Sequence, residues 1–537
     1  MSQHFSRREA LRLGALAAGG AALLGSGALT GCASRGSMTD PNAYSFGPPQ
    51  DGVPTPGGTL RVGLISGGNA ETLDVRRTTQ VPDIARVSAL YDPLWFVGER
   101  GTVVAGLAES WDSNDAADVW TIQLRRGVQW HDGKSFTAAD VVYTIQNSWV
   151  APENGFGAVL QQIIDAPNVR ADGEFTVVVP LKRRLAQFPT VASIQNCYVV
   201  PDGFTSWDRP VGTGPFKFKS FTAGRQSEFV ANENYWRGSG RPPVDSLIID
   251  SSFAQDDTRL NALLAKSIDI MPGIPPALAR ANQSAGRINL GNQPGPGWTG
   301  PVFRVDTEPF RDQRVREALK LSLDRQAAVD LVFSGYATAG NDCCGYTGQY
   351  FANDLTSSYD PDKAKSLLKS AGFDGLAVSL DTAALSGQTN SLATLFKEQA
   401  KKAGIDVTVN QSDPSTYFTP AGGYQTRPFS MELWTNGVNS LTLFYLLDLV
   451  EGAPFQVSYW GSPEHDELAY AAMAEKDEAR AAQKWHDVQV LQHNEGGTLN
   501  YANYNWLDGY GLGVRGTKTT NAGPCNNFDF SSTWLEG

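Results

Sequence analysis

The sequence predicts an α/β protein made of several structural units around a cleft, and three observations predict it. The chain has 537 residues, which at about 150 residues per domain makes three or four units, enough to bury large cores and leave a cleft between them. From Asp312 onward, segments with helical apolar spacing alternate with short runs of strand character, the pattern of an α/β lobe with parallel pairing. Hydrophobic residues are 41% and charged residues 19%, with 55 glycines and 30 prolines. That composition gives a loop-rich globular protein and excludes a coiled coil or a disordered tail.

The elements follow in order. Gly58-Thr59-Leu60-Arg61-Val62-Gly63-Leu64-Ile65 alternates as a first strand, and Ser66-Gly67-Gly68-Asn69 is a loop. Residues 81–94 read as a helix and Trp120-Thr121-Ile122-Gln123-Leu124 as a strand. Thr137 is a helix N-cap with Asp140 at the third position beyond it. Residues 174–181 and 216–221 read as strands, and 256–265 as a short helix. Residues 314–332 read as one helix, with Val315, Leu319 and Leu323 at spacing four. Asp360 caps another helix, Pro361 is its first residue and Gly372 ends it. A strand over 376–380, a helix over 390–403 and a strand over 405–409 continue the alternation, and 466–491 reads as a helix with a charged face.

Several function classes are excluded. The formal net charge is −12, against a nucleic-acid partner, because phosphate affinity needs surplus Lys and Arg. Five widely spaced histidines leave little material for a metal site, and no metal or cofactor is expected. Gly212-Thr213-Gly214-Pro215 lacks the Lys-Ser/Thr of a phosphate loop. No GxSxG, HExxH or SxxK element is present, so no catalytic residue is assigned and the chain is not read as an enzyme. His131 reads as a structural turn histidine.

The N-terminus reads as an address. Arg7-Arg8 precedes an apolar segment over 13–29, too short and too weakly apolar for a comfortable membrane span, and Leu29-Thr30-Gly31-Cys32 matches a bacterial lipobox. Residues 1–31 are therefore expected to be a Tat-type lipoprotein signal, with Cys32 lipidated and tied to the outer face of the cell membrane. An ordinary secretory signal with an incidental cysteine is the alternative. Residues 32–57, rich in Ser, Gly, Pro and Asn, read as a flexible tether. After export, Cys197, Cys343, Cys344 and Cys525 suffice for two disulfides. A bridge between the adjacent pair would be strained, which favours one of them pairing elsewhere.

Ordered blocks carry a resemblance over nearly the whole mature chain. They are Gly57-Gly58-Thr59-Leu60-Arg61, Leu90-Tyr91-Asp92-Pro93-Leu94, Leu107-Ala108-Glu109-Ser110-Trp111 and Trp120-Thr121-Ile122-Gln123-Leu124. Then come Arg126-Gly127-Val128-Gln129-Trp130-His131-Asp132-Gly133, Val211-Gly212-Thr213-Gly214-Pro215-Phe216, Asn232-Glu233-Asn234-Tyr235-Trp236, Pro309-Phe310-Arg311-Asp312 and Tyr359-Asp360-Pro361-Asp362. The chain resembles the family 5, cluster C, extracytoplasmic solute-binding proteins of ABC importers, the oligopeptide, dipeptide and nickel binders. The resemblance implies a two-lobed periplasmic-binding-protein-like α/β fold (type II, three domains) with a hinged cleft. It implies a main domain over 58–90, 210–300 and 500–537, an inserted domain over 91–209 and a third domain over 301–499. It also implies a monomer that delivers solute to a membrane permease. Peptide is the first reading of that solute, an oligosaccharide or another neutral solute the second, and an exported lipoprotein hydrolase the alternative from a different class. Most of the blocks read as architecture, with Trp111 and Trp130 pinning a turn and Arg314 and Arg316 in surface or interlobe ion pairs.

Peptide-binding members hold the ligand ammonium with an aspartate after a strand of the third domain. Here the stretch reads Met431-Glu432-Leu433-Trp434-Thr435-Asn436-Gly437-Val438-Asn439, without that acid. Asn offers hydrogen bonds but no countercharge, which makes a neutral or blocked ligand more plausible. A shifted alignment would bring Asp448 or Glu451 in as the acid. The expected ligand-binding set is Asn69, Trp298, Tyr417, Trp434, Asn436, Asn439 and Tyr445, aromatic faces for rings or apolar side chains and polar tips for direction.

Overall fold

A computed structural model describes residues 47–536 except 239, 387, 419–422, 435–439 and 521. Residues 1–31, Cys32, most of the tether, Asn436 and Asn439 lie outside the described residues.

The spine is one mixed sheet, eleven-stranded among the described residues. Its order is Ile405–Ser412, Leu376–Ala383, Phe429–Trp434, Asn289–Phe303, Ala502–Tyr510, Ile270–Pro272, Thr59–Ile65, Ser246–Phe253, Gln226–Ala231 and Phe216–Thr222, with Ala337–Ala339 also on Ala502–Tyr510. Leu376–Ala383 pairs parallel with Ile405–Ser412, and Thr59–Ile65 parallel with Ser246–Phe253. The two ends of the sheet serve separate cores. Leu60, Val62, Phe216, Phe229 and Leu247 pack with the helix Val81–Leu90 in the first lobe. Phe303, Leu319, Leu380, Phe396 and Phe429 pack with the helices Gln313–Leu321 and Thr389–Ala400 in the second. Asn289–Phe303 and Ala502–Tyr510, paired antiparallel, carry the chain between them. A separate four-stranded antiparallel sheet, Ala108–Ser113, Val119–Leu124, Thr176–Pro180 and Arg170–Ala171, lies within 91–209, the stretch expected to be an insert.

Local chemistry explains the joints. Thr137 and Asp140 form a reciprocal capping box on Ala138–Thr144. His131 is a structural residue: its Nδ1 accepts from the Gly212 N–H at 3.2 Å, and its Nε2 donates to the Gly214 carbonyl at 3.0 Å. Burial holds its pKa down to about 4, so the ring is neutral and has one donor and one acceptor to offer. Gly212 and Gly214 are needed for close approach, because a Cβ would lie 1.8 Å and 2.7 Å from the Leu90 carbonyl oxygen.

Five expectations are corrected. The first helix stops at Leu90, not 94. Asp92 precedes a proline, which disfavours helix, and its carboxylate is held by Thr213, Tyr235 and Trp236. Residues 314–332 form two helices, because Asp324 caps a new one, Arg325–Leu331, by accepting from the Ala327 N–H. Residues 466–491 likewise lie in two, Pro463–Met473 and Glu478–Glu495, the second capped by Asp477. Among the described residues Arg316 makes no ion pair; it is buried and donates to the carbonyls of Phe310, Arg311 and Glu495, while Arg314 pairs with Asp312 at the surface. The four described cysteines are buried and unpaired, so the disulfides expected from export are not formed. Cys197 lies in the insert, Cys525 in the first-lobe core and the adjacent pair beside the second lobe.

The strand crossing sets a strict test. A Cβ on Gly300 would sit 1.9 Å from the Leu499 carbonyl oxygen, a backbone atom that cannot rotate away. Gly300→Ala is expected to destabilise by about 3 kcal/mol or more and to lower the melting temperature by several degrees. Gly155→Ala, where a Cβ meets nothing within 4 Å, should be near neutral; calorimetry of the two variants checks the contrast.

Candidate ligand site between the lobes

The crossing strands are irregular at one place. Pro294 pairs with Asn505 and Trp298 with Asn503, so residues 295–297 stand opposite Tyr504 alone. This bulge explains the run Pro294-Gly295-Pro296-Gly297. A Cβ on Gly297 would lie 2.5 Å from the Tyr504 hydroxyl, and one on Gly295 2.9 Å from the Tyr504 carbonyl. The Tyr504 hydroxyl donates to the Trp434 carbonyl at 2.5 Å, which ties the end of the neighbouring strand to the crossing.

Aromatic rings gather there. Trp298 and Trp434 are register partners on adjacent antiparallel strands, hence on one face of the sheet. Phe444 packs against both, with ring centroids 6.5 Å from Trp298 and 4.8 Å from Trp434, and Phe455 closes on Trp434 at 6.1 Å. Glu432, two residues before Trp434, shares that face. Its Oε1 accepts from Trp434 Nε1 at 2.7 Å, and its Oε2 is buried without a partner. Asp448, also buried, accepts from the Val457 N–H at 3.3 Å. Neither acid makes an ion pair among the described residues. Burial, and then the neighbouring Asp448, raises the Glu432 pKa well above the carboxylate range; burial pushes Asp448 up to about 7. Two acids in one dry place hold a proton, or else wait for a cation.

The insert and the second lobe are in contact. The Ala186 N–H donates to the Met473 carbonyl at 2.8 Å, and Lys476 Nζ to the Asn114 carbonyl at 3.1 Å. Thr442 bonds Gln187, and the Arg183 guanidinium lies 4.7 Å from the centre of the Tyr470 ring. Between them remains a cavity of about 400 Å³ lined by Trp111, Trp120, Gln187, Gln349, Tyr350 and Glu475 among others.

The profile of the bacterial extracellular solute-binding proteins, family 5, matches residues 102–449. The chain belongs to that family. As a family 5 member it is an extracytoplasmic solute-binding protein, and its mixed sheet and paired crossing are the two-lobed fold. It is similar to the dipeptide-binding protein of Escherichia coli, 26% identical over 440 residues that cover 74% of this chain and 80% of that protein. Heme-binding protein A of Haemophilus influenzae is 26% identical over 434 residues, 72% of this chain and 77% of that one. Among solved structures, the periplasmic binding protein DppA from Helicobacter pylori in complex with the peptide STSA superposes with a TM-score of 0.75 at 21% identity, covering 90% and 99% of the two chains. AgaA from A. tumefaciens in complex with agropinic acid gives 0.74 at 22%, covering 89% and 99%.

Within this family 5 fold, the expected site residues separate. Trp298 and Trp434 come together at the crossing. Tyr417 is a core residue whose hydroxyl serves the carbonyls of Met431 at 2.6 Å and Asp381 at 3.2 Å. Tyr445 is buried too, with its hydroxyl on Gln492 at 2.8 Å and its ring against Trp485. Asn69 is exposed on a single turn, Gly68–Ala70. Of the two substitute acids, Asp448 is buried near Glu432 and Glu451 is exposed. The sequence reading missed Glu432 itself. Its signal was an acid in a strand whose alternate residues, Phe429 and Met431, enter the core, a pattern that reads as a solvent-facing charge. His465 is buried beside Asp466 and Trp460, and no metal cluster occurs among the described residues.

The raised carboxyl pKa values give stability a pH dependence. An acid with a higher pKa in the folded state loses stability as pH rises from its ordinary value, near 4, through its folded value. For Asp448 that window ends at about 7. Asp448→Asn should therefore stabilise the chain at pH 8 by about 1–3 kcal/mol and have little effect at pH 4, read from melting temperatures across that range.

Proposed function

We propose that this family 5 protein captures a peptide with a free N-terminus between its lobes and hands it to an ABC permease, without chemical turnover. One observation carries the peptide reading, the buried Glu432 carboxyl with an unpartnered oxygen beside Trp434 and Trp298. A buried carboxylate facing no cation is costly, and a ligand ammonium supplies the missing charge and displaces the shared proton. Glu432, with Asp448 behind it, takes the part of the aspartate absent from 435–439. Trp298 and Trp434 supply apolar walls, and Asn436 and Asn439 are assigned hydrogen bonds to the ligand backbone. The names of relatives that bind dipeptides, glutathione and di- or tripeptides support this class.

The working units of this reading are the main domain over 58–90, 210–300 and 500–537, the insert over 91–209 and the third domain over 301–499. The chain acts as a monomer. Cys32 carries the lipid and residues 33–57 let the domains reach the permease. Cys32→Ser should move the protein from the membrane fraction to the soluble fraction; retention in the membrane would remove the anchor from this account.

The ligand class is tested on the exported chain with Cys32 replaced. Mass spectrometry of molecules released on denaturation should give a ladder of short peptides. Glu432→Gln should weaken a free tripeptide at least tenfold and leave its N-acetylated form unchanged. Calorimetry in buffers of different ionisation enthalpy should show proton release near pH 6 that the variant abolishes. A single non-peptide species, or equal loss for both peptides, overturns the reading.

A further inference from the structure

A cavity of about 500 Å³ lies on the second lobe, where the end of the helix Glu478–Glu495 meets the helix Gln313–Leu321 and residues 356–358. Apart from Leu321, every residue lining it is polar or charged. One of them is Lys320, a lysine only 7% exposed. Its Nζ donates to the His493 carbonyl at 2.6 Å, the one acceptor it has among the described residues. An ammonium has three N–H groups, so two are left over. Burial lowers the Lys320 pKa to about 8, and the group still carries its charge at pH 7.

The other buried cations are provided for. Arg86 meets Glu71 and Asp83, Arg259 meets Asp256, and Arg325 meets Asp342. Arg316 spreads its guanidinium over three carbonyls. Lys320 is left with no carboxylate and a single carbonyl. A helix end favours a cation, and the His493 carbonyl belongs to one. That role uses one N–H of the three, and Arg316 already serves the Glu495 carbonyl of the same helix end.

Three acids also line the cavity, and each is answered by a cation other than Lys320. Glu317 pairs with Lys363 at 2.8 Å. Asp342 attracts Lys320 from beyond ion-pair distance, and its oxygens are taken by Arg325, the Asn500 N–H and Ser357. Glu495 stands in the field of Arg316. The charge in surplus at this cavity is therefore the Lys320 ammonium. A buried charge without a counterion is costly. A cation would meet it as a like charge, and a neutral ligand would leave it uncompensated. An oxyanion supplies the charge and brings several acceptors, for the two remaining N–H groups and for the hydroxyls of Thr356 and Ser358, which are exposed on the same lining.

We infer that this cavity is a second ligand site, separate from the interlobe site, which takes a small oxyanion on Lys320. The inference is independent of the peptide reading of the cleft. Tetrahedral anions and the carboxylates of small organic acids share the required chemistry.

Titration calorimetry on the exported chain with Cys32 replaced tests it, at pH 7 and low salt, with inorganic phosphate, sulfate and succinate as probes. At least one should bind, at one site per chain, and the probe that binds tells a tetrahedral anion from a carboxylate. Lys320→Met keeps an unbranched stem and removes the charge, and should weaken that anion at least tenfold. Ser358→Trp fills the cavity from its exposed side without removing a charge. It should weaken the anion at least fivefold, and it keeps the test decisive if the lysine variant does not fold. Lys369→Ala, exposed at the far end of the helix Pro361–Ser370, should leave the affinity within twofold. Failure of all three probes to bind overturns the inference. So does binding that both cavity variants leave unchanged. Binding that Lys369→Ala weakens as much as Lys320→Met also overturns it, because that marks a diffuse attraction to surface lysines.

Discussion

The antiparallel pairing of Asn289–Phe303 with Ala502–Tyr510 is the constraint on which the rest of the structure hangs. These strands belong to both lobes, so their ladder fixes how one core faces the other. The ladder is interrupted only where three residues, 295–297, oppose Tyr504. That interruption is held open by two glycines and closed over by the Tyr504 hydroxyl on the Trp434 carbonyl. Regular pairing on either side is stiff, and a bulge is where a strand bends. A change in lobe angle would be absorbed most readily at the bulge, next to Trp298, and would move that ring relative to the insert. On the proposed reading, the position of the ligand site follows from the position of the irregularity.

How the molecule treats other buried charges gives Glu432 its meaning. Arg86 is fully buried, and it is paired with Glu71 at 2.8 Å and Asp83 at 3.4 Å and bonded to Ser227 and Ser251. Arg325 is clasped by both oxygens of Asp342 at 2.7 Å and 2.8 Å, with Ser357 on the same carboxylate. These are structural charges, and each is neutralised by the protein itself. Glu432 and Asp448 differ, because two acids face a common interior with no cation to meet them. Asp92 and Asp508, also without an ion pair among the described residues, have both oxygens filled by protein donors, whereas one oxygen of Glu432 has none.

Much of the fold was legible because it is encoded locally. The Thr137–Asp140 cap, Pro361 at the first turn of its helix, Gly372 and Gly404 at the ends of theirs, and the parallel pair Leu376–Ala383 with Ile405–Ser412 each rest on residues within a few positions of one another. The errors arose where distant residues decide. The helix ending at Leu90 is cut short by an aspartate whose partners lie more than a hundred residues away. The break before Arg325 is set beside a guanidinium that reaches Asp342 and the Asn500 carbonyl. At the site, the aromatic pair Trp298 and Trp434 was legible from its place in the family pattern. Tyr417 and Tyr445 were indistinguishable from pocket tyrosines, because a tyrosine hydroxyl on a ligand and one on a core carbonyl leave the same mark in a sequence. Glu432 was hidden for the converse reason, since alternation cannot tell a solvent-facing acid from one covered by a later segment, here Leu441–Phe444 and the turn after it.

The insert is more than an ornament on the first lobe. Its Trp95, Trp120, Phe188 and Leu185 share one continuous apolar cluster with Leu443, Phe444, Leu447 and Trp485 of the second lobe. Contacts of this kind favour closure whether or not solute is present. A solute contributes only the difference between its interactions in the closed and open arrangements. A protein whose lobes already adhere therefore gains little selectivity from closing as such. Selectivity has to come from groups left incomplete when the lobes meet, and in the crossing region these include the free oxygen of Glu432 and the unpartnered indole of Trp298. One requires a positive donor and the other an acceptor. On the proposed reading, a peptide terminus with its ammonium and first carbonyl is the smallest group that provides both.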